Sequence, residues 1–172
     1  MPNSEALESA YGKRSIAGDI LILDSNEYIL GFTDPQSDSA ALLKAVKDYV
    51  VIVPAMVVQE VTSNLAAMSS TLPKMFYSLL NDASAHTVRY YNEPPEELWL
   101  KYLNLGLSEE DAFIGAFAEW VGAKFLVSEN KHFLRRLKTE AFEVVDASTL
   151  LEKLARGEVA PAESMIEMWG KR

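Results

Sequence analysis

The chain has 172 residues, 49% of them apolar, which suits one domain with a substantial core. It has no cysteine, which excludes disulfide scaffolds and thiolate metal sites and favours an intracellular location. With 25 acidic against 16 basic residues the formal net charge is −9, so broad electrostatic binding to nucleic acid is disfavoured, although a local basic patch or a divalent cation can reverse the field where it matters.

The opening stretch "MPNSEALESAYGKRS" is polar and lacks the apolar middle of a signal peptide, so a cytoplasmic location is expected. No apolar run is long enough to span a membrane. Residues 1–18 read as an arm, 19–155 as the folded domain and 156–172 as a tail. The first strand is read as Ile20–Asp24, four apolar residues closed by a carboxylate, and Ser25 and Asn26 follow at once. Those three suit a helix cap, and equally suit the carboxyl end of a parallel strand, where open α/β sheets place their chemistry. "SDSAALLKAVKD" follows with helical spacing, Ala41, Leu42, Ala45 and Val46 sharing a face. "YVVIVP" is a second strand stopped by Pro54, and "AMVVQEVTSNLAAM" a helix carrying Glu60.

From Ser63 to Leu107 the pattern is broken by Pro73 and by "NEPPEE", and it reads as two or three helices forming a lid or clamp. Met75, Phe76, Leu79 and Leu80 lie there at helical spacing, with Tyr90 and Tyr91 after them. Core packing is the first expectation for that stripe, and an interface with another chain the alternative. "GLSEEDAFIGAFAEWVGA" is the clearest helix, with Ser108 as N-cap, Asp111 three residues on, and Gly122 as stop. Then come the strand "KFLVS", the helix "KHFLRRLKT", the strand "FEVVD" and a last helix "STLLEKLARG". Strands alternating with helices predict an α/β fold with a mostly parallel sheet and helices on both faces.

A parallel sheet puts strand ends and the starts of the following helices along one edge. Asp24, Glu60, Asp111 and Asn130 can then converge there. Clustered carboxylates resist burial unless a cation binds them, and oxygen-only ligands suit Mg²⁺ or Mn²⁺. Taken singly, each has an ordinary reading: Asp111 as a capping-box member, Glu60 as a solvated helix residue, Asn130 as an N-cap. His86 and His132 make no metal-ligand spacing. Lys131, Arg135 and Lys138 fall at helical spacing after Asn130, either as a solvated face or as a set of phosphate contacts.

In order along the chain these pieces resemble the PIN-domain family. That family opens with a hydrophobic strand ending in Asp, then Ser/Thr and Asn/Ser, as "ILILDSN" does. It carries a Glu in the helix after strand two, as at Glu60, and an Asp opening a small-residue helix, as at Asp111. It then has a Ser/Thr-x-Asp/Asn-x-x-Phe motif, as in "SENKHF" with Ser128, Asn130 and Phe133. The resemblance implies a PIN-like three-layer sandwich and a Mg²⁺- or Mn²⁺-dependent ribonuclease acting on RNA.

By the same resemblance, Asp24, Glu60 and Asp111 are the metal ligands and Asn130 assists directly or through water. Ser25, Asn26 and Ser128 orient them, and Lys131, Arg135 and Lys138 hold RNA. Toxins of VapBC toxin–antitoxin pairs belong to this family, which adds an antitoxin partner and a homodimer to what it implies. A non-catalytic PIN-like module binding RNA or protein is the alternative, because the fourth acidic position holds Asn130 and the chain is longer than a minimal toxin. Charge alone would choose Glu129 as the fourth group; the register set by Ser128 and Phe133 chooses Asn130 and sends Glu129 to solvent.

Overall fold

The computed structural model describes residues 18–162; the N-terminal arm and the end of the tail lie outside them. A five-stranded sheet in the order β3-β2-β1-β4-β5 forms its centre, and every pairing is parallel. β1 (Ile20–Leu23) is the middle strand, flanked by β2 (Val50–Pro54) and β4 (Phe125–Val127), with β3 (His86–Tyr90) and β5 (Glu143–Val145) at the edges. β1, β2 and β4 are buried at every position, which is why they read as unbroken apolar runs rather than alternating ones.

Among the described residues there are eight α-helices: α1 (Ser25–Thr33), α2 (Asp38–Ala45), α3 (Ala55–Met68), α4 (Thr71–Leu80), α5 (Glu96–Leu103), α6 (Glu109–Val121), α7 (Lys131–Arg136) and α8 (Ala147–Ala155). α1 to α4 and α8 pack on one another, and α5 pairs with α6, so the sheet lies between two helical layers. α5 and α6 approach closely because Gly115 has no side chain: a Cβ there would lie 2.9 Å from the ring of Tyr102. Gly122 ends α6 in the left-handed conformation, as its position predicts.

Four differences from the sequence reading matter for the site. First, "SNEYILGFT" is a helix, α1, and its first turn carries Glu27. Second, the middle of the chain holds a strand. "HTVRY" is β3, paired with β2 over five positions from Val50–His86 to Pro54–Tyr90. As an edge strand it is only half-buried along most of its length, so it lacks the apolar signature of its neighbours. That middle region therefore extends the sheet and the helical layers instead of forming a lid.

Third, α7 stops at Arg136, because Phe133 and Leu137 are both drawn into the core and Leu137 turns to an extended conformation. Lys138 lies beyond the helix. Fourth, residues 156–162 stay attached to the body. Asp19 N–H donates to Ala160 O (3.0 Å), Ala160 N–H donates to the Asp19 carboxylate (2.7 Å), and Val159 is buried. In the stripe on α4, Phe76 and Leu80 are core residues, while Met75 is exposed.

The chain runs outward from β1 to β2 and β3, then crosses back to β4 and β5. The reversal falls between β1 and β4. Open α/β sheets bind ligands in the crevice outside the carboxyl ends of the strands at such a point. No helix among the described residues is long and apolar enough to cross a membrane.

Candidate metal centre

Asp24 stands at the end of β1 beside the reversal. Its backbone N–H donates to Val127 O (2.8 Å), extending the β1–β4 ladder by one residue and fixing where the carboxylate emerges. Both carboxylate oxygens have donors. Ser25 N–H reaches Oδ1 (2.8 Å) as Asp24 caps α1, and the Ser128 hydroxyl donates to Oδ2 (2.7 Å). Ser128 follows β4 and is wholly buried, and its oxygen also accepts from Asn130 N–H (3.1 Å).

Ser25 ties in the second carboxylate. Its hydroxyl donates to Glu60 Oε2 at 2.6 Å, linking α1 to α3. Asp111 lies in the first turn of α6, where Ser108 Oγ accepts from its backbone N–H (3.2 Å). The capping role expected of Ser108 is therefore real, and it leaves the Asp111 carboxylate facing the hollow. Asn130 caps α7, its side-chain oxygen accepting from His132 N–H (3.0 Å) and Phe133 N–H (3.4 Å). Asn26 accepts weakly from Glu129 N–H (3.5 Å).

Asp24, Ser25, Asn26, Glu60, Asp111 and Asn130 line one hollow of about 210 Å³, with Ile29 and Ile114 among its apolar walls. The fold thus gathers the residues that the sequence motifs single out. Among the described residues, however, no three acidic or histidine side chains stand close enough together to hold an ion directly. Two of the carboxylates are occupied by serine hydroxyls instead. Lys131 and Arg135 lie exposed on α7 next to this edge, whereas Lys138 borders a different hollow with Trp120 and Glu140.

Burial pushes Asp24 up to about 6. The Ser128 and Ser25 hydrogen bonds oppose that rise, and Asp111 and Glu60 add repulsion. Asp111 is raised in the same direction, mainly by burial, with the Ser108 bond opposing and Glu60 contributing. Both carboxyls are thus poised against their own charge.

Two acids behave differently from the sequence expectation. Glu129 does not point to solvent: it is half-buried, and Oε1 accepts from Ala147 N–H (2.8 Å) at the start of α8. The carboxyl end of β4 and the start of α8 are neighbours only because β4 and β5 pair, a long-range fact that motif register does not carry. Glu27 was absent from the motif reading and is completely buried. Its Oε2 accepts from the Ser39 hydroxyl (2.6 Å) and its Oε1 has no hydrogen-bond partner. Burial, and then the nearby Glu129 carboxylate, hold Glu27 well above the usual range. The available signal was the spacing Asp24-x-x-Glu27, a capping-box pattern that announces α1.

Asp24→Asn is expected to stabilise the metal-free protein. Below about pH 4 Asp24 is protonated whether folded or unfolded, so the substitution gains nothing. Between about 4 and 6 the unfolded carboxyl ionises first and the wild type loses stability; above about 6 the loss is complete and constant. A shift of this size corresponds to roughly 1–3 kcal/mol, or several degrees in melting temperature. Thermal melts across this range in EDTA check it, and an equal gain at acid pH would refute the cause. Glu129→Ala should lower stability by about 1 kcal/mol through the lost contact with α8; an unchanged melting temperature would return Glu129 to solvent.

The PIN domain family model matches residues 21–138. No curated protein matches the sequence significantly. Among solved structures, PAE2754 from Pyrobaculum aerophilum is 20% identical, with a TM-score of 0.56, over 85% of this chain and 95% of that one. VapBC2 from Rickettsia felis, bound to a DNA fragment from their promoter, is similar at 17% identity and a TM-score of 0.52, over 74% of this chain and 98% of that one. FitAcB from Neisseria gonorrhoeae is similar at 16% identity and 0.53, over 74% and 98%. At these identities the likeness is one of fold, and it is the family model's span across the first four strands and the "SENKHF" motif that identifies the chain as a member of the PIN-domain family.

Proposed function

We propose that the protein is a metal-dependent endoribonuclease that hydrolyses RNA phosphodiester bonds. PIN domains are generally nucleases, and the observation that carries the reading is the oxygen-lined hollow at the β1–β4 reversal. Its donor set suits a hydrated divalent cation: Asp24, Glu60 and Asp111 supply oxygens only, which matches Mg²⁺ or Mn²⁺ rather than Zn²⁺. Mg²⁺ keeps several of its waters, so carboxylates that do not meet at a single point still suit it. Asp24, Glu60 and Asp111 would hold the ion. When bound, the ion would orient and activate a water and stabilise charge on a phosphate oxygen.

The protein's own groups have separate tasks. Ser25 and Ser128 hold Asp24 and Glu60 in place by hydroxyl donation. Each hydroxyl satisfies a carboxylate without neutralising it, so the negative charge that attracts a cation persists. Asn130 keeps its carbonyl oxygen toward α7, where two backbone N–H groups use it, and has its side-chain amide N–H groups to donate to a water. Lys131 and Arg135 supply positive charge at the rim for RNA phosphates. Lys138, on the chain leaving α7, borders a different hollow and is left out of this rim.

The competing reading, a PIN-like module that binds RNA or protein without cleaving, is favoured by one observation: three acids do not converge among the described residues. Titration of Mg²⁺ or Mn²⁺ into EDTA-treated protein with single-stranded RNA decides between them. Cleavage should require the metal. Asp111→Asn should reduce it more than about 100-fold, and Asn130→Asp should retain it. Full activity in Asp111→Asn would return that residue to helix capping and remove it from the site.

A cytoplasmic toxin with an antitoxin partner, acting as a homodimer, completes the proposal. Two of the similar structures are toxin–antitoxin pairs by name, VapBC2 and FitAcB. Met68 on α3 and Met75 and Tyr77 on α4 are exposed and offer apolar area to a second copy. Light scattering at high protein concentration should give twice the chain mass, and Met75→Asp should halve it. A strict monomer rules out the homodimer.

A further inference from the structure

A second hollow, of about 460 Å³, opens beside the carboxylate site. The two are continuous, since Met56 and Glu110 line both. The link is built into the helices. Met56 and Glu60 lie four residues apart on α3, on one face, and Glu110 adjoins Asp111 at the start of α6. Anything bound at Glu60 and Asp111 therefore has the second hollow as its immediate neighbour.

Three aromatic side chains line it. Trp99 of α5 is held in position: its indole N–H donates to Glu109 O (3.3 Å), and its ring meets Phe113 edge-on at 6.0 Å. Tyr91, on the chain just after β3, is 70% exposed and is the most exposed large apolar residue described. A fixed indole with a solvent-facing phenol nearby provides a stacking surface that loses little rotamer freedom on binding.

The charge around these rings is informative. Glu93, Glu109 and Glu110 line the hollow, and no basic side chain does. Phosphate is repelled there. The basic residues Lys131 and Arg135 lie on α7, beyond β4, whereas the hollow lies over the ends of β2 and β3. Along the sheet edge the order is basic helix, carboxylate site, acidic aromatic hollow. A nucleic acid strand can keep its phosphates toward α7 and the metal site while placing a base in the hollow. Carboxylates only accept hydrogen bonds, so they favour a base edge rich in N–H donors. Guanine presents both an imino and an amino donor to a carboxylate, and uracil presents one imino group.

We propose that this hollow is a nucleobase subsite, taking the unpaired base next to the cleaved phosphodiester and preferring guanine to uracil. The assignment of the neighbouring phosphate rests on the ribonuclease reading above, whereas binding of the base does not.

The test separates the two. Guanosine and uridine, which carry no phosphate, are titrated into ¹⁵N-labelled full-length protein in EDTA. The Trp99 indole N–H resonance, assigned by its loss in Trp99→Phe, is the readout. Guanosine should shift it with at least about fivefold higher affinity than uridine, and Tyr91→Ala should weaken guanosine by about fivefold or more. In cleavage assays Tyr91→Ala should raise KM, leave kcat nearly unchanged and flatten the preference for guanine beside the cut. The proposal is overturned if neither nucleoside shifts Trp99, or if Tyr91→Ala binds guanosine as well as wild type. It is likewise overturned if arginine amide shifts Trp99 and the nucleosides do not, which assigns the hollow to a cationic side chain of a protein partner. Guanosine binding without any RNA cleavage keeps the base subsite and removes only the catalytic reading.

Discussion

Asp24 has to ionise while half-buried in the wall of the carboxylate hollow. It ends the central strand of a parallel sheet, with a buried strand on either side, and its backbone is fixed there by the hydrogen bond to Val127. Two donors, the Ser25 amide and the Ser128 hydroxyl, offset part of the cost, yet burial still prevails and lifts the carboxyl to about 6. Much of the remaining edge follows from this imbalance. Ser128 must be buried to reach Asp24, and through its oxygen it sets Asn130 at the start of α7. Ser25 must follow Asp24, and through its hydroxyl it holds Glu60.

Helix starts supply the second source of stabilisation, and its size shows why it is insufficient. Because every strand is parallel, each helix that follows a strand begins at the same edge. Asp24 caps α1, Asn130 caps α7 and Asp146 caps α8 in this way. Each such placement favours a carboxylate by about 0.3–1 kcal/mol. Desolvation of Asp24 exceeds that by a factor of a few, judging from its raised pKa. The deficit can be offset by a proton at acid pH or by a cation at neutral pH, and the proposed metal reading takes the second. Glu27 shows the other outcome: fully buried, with one oxygen unpartnered and Glu129 beside it, it is pressed toward its protonated form.

The likeness to solved structures at 16–20% identity says that this edge architecture survives large changes in sequence. The sheet order needs only apolar strands and helix-forming connections, so it tolerates substitution. Chemistry is a property of the residues placed at the edge, and fold alone does not assign it. Here the carboxylate hollow adjoins an acidic aromatic one, and the juxtaposition of Met56 with Glu60 and of Glu110 with Asp111 makes them one surface.

The three central strands were legible in the sequence as apolar runs within Ile20–Asp24, Tyr49–Pro54 and Lys124–Ser128, and the structure buries them on both faces over Ile20–Leu23, Val50–Pro54 and Phe125–Val127. The sequence by itself also determined Asp24, Glu60, Asp111 and Asn130 as candidates, because strand ends and helix starts are local features that carry fixed residue types. Tertiary structure decided the rest. β3 is an edge strand whose half-exposed residues lack periodic signal, so only its pairing with β2 reveals it. α7 ends where Phe133 and Leu137 enter the core, which removes Lys138 from the basic face. Glu129 accepts from the first amide of α8 because β4 and β5 are neighbours, and Glu27 is buried because Ser39 on α2 meets it from twelve residues away. Each of these depends on which elements become adjacent. Adjacency is set by long-range pairing and packing, whereas the signals along a chain report only the conformation of a few neighbouring residues.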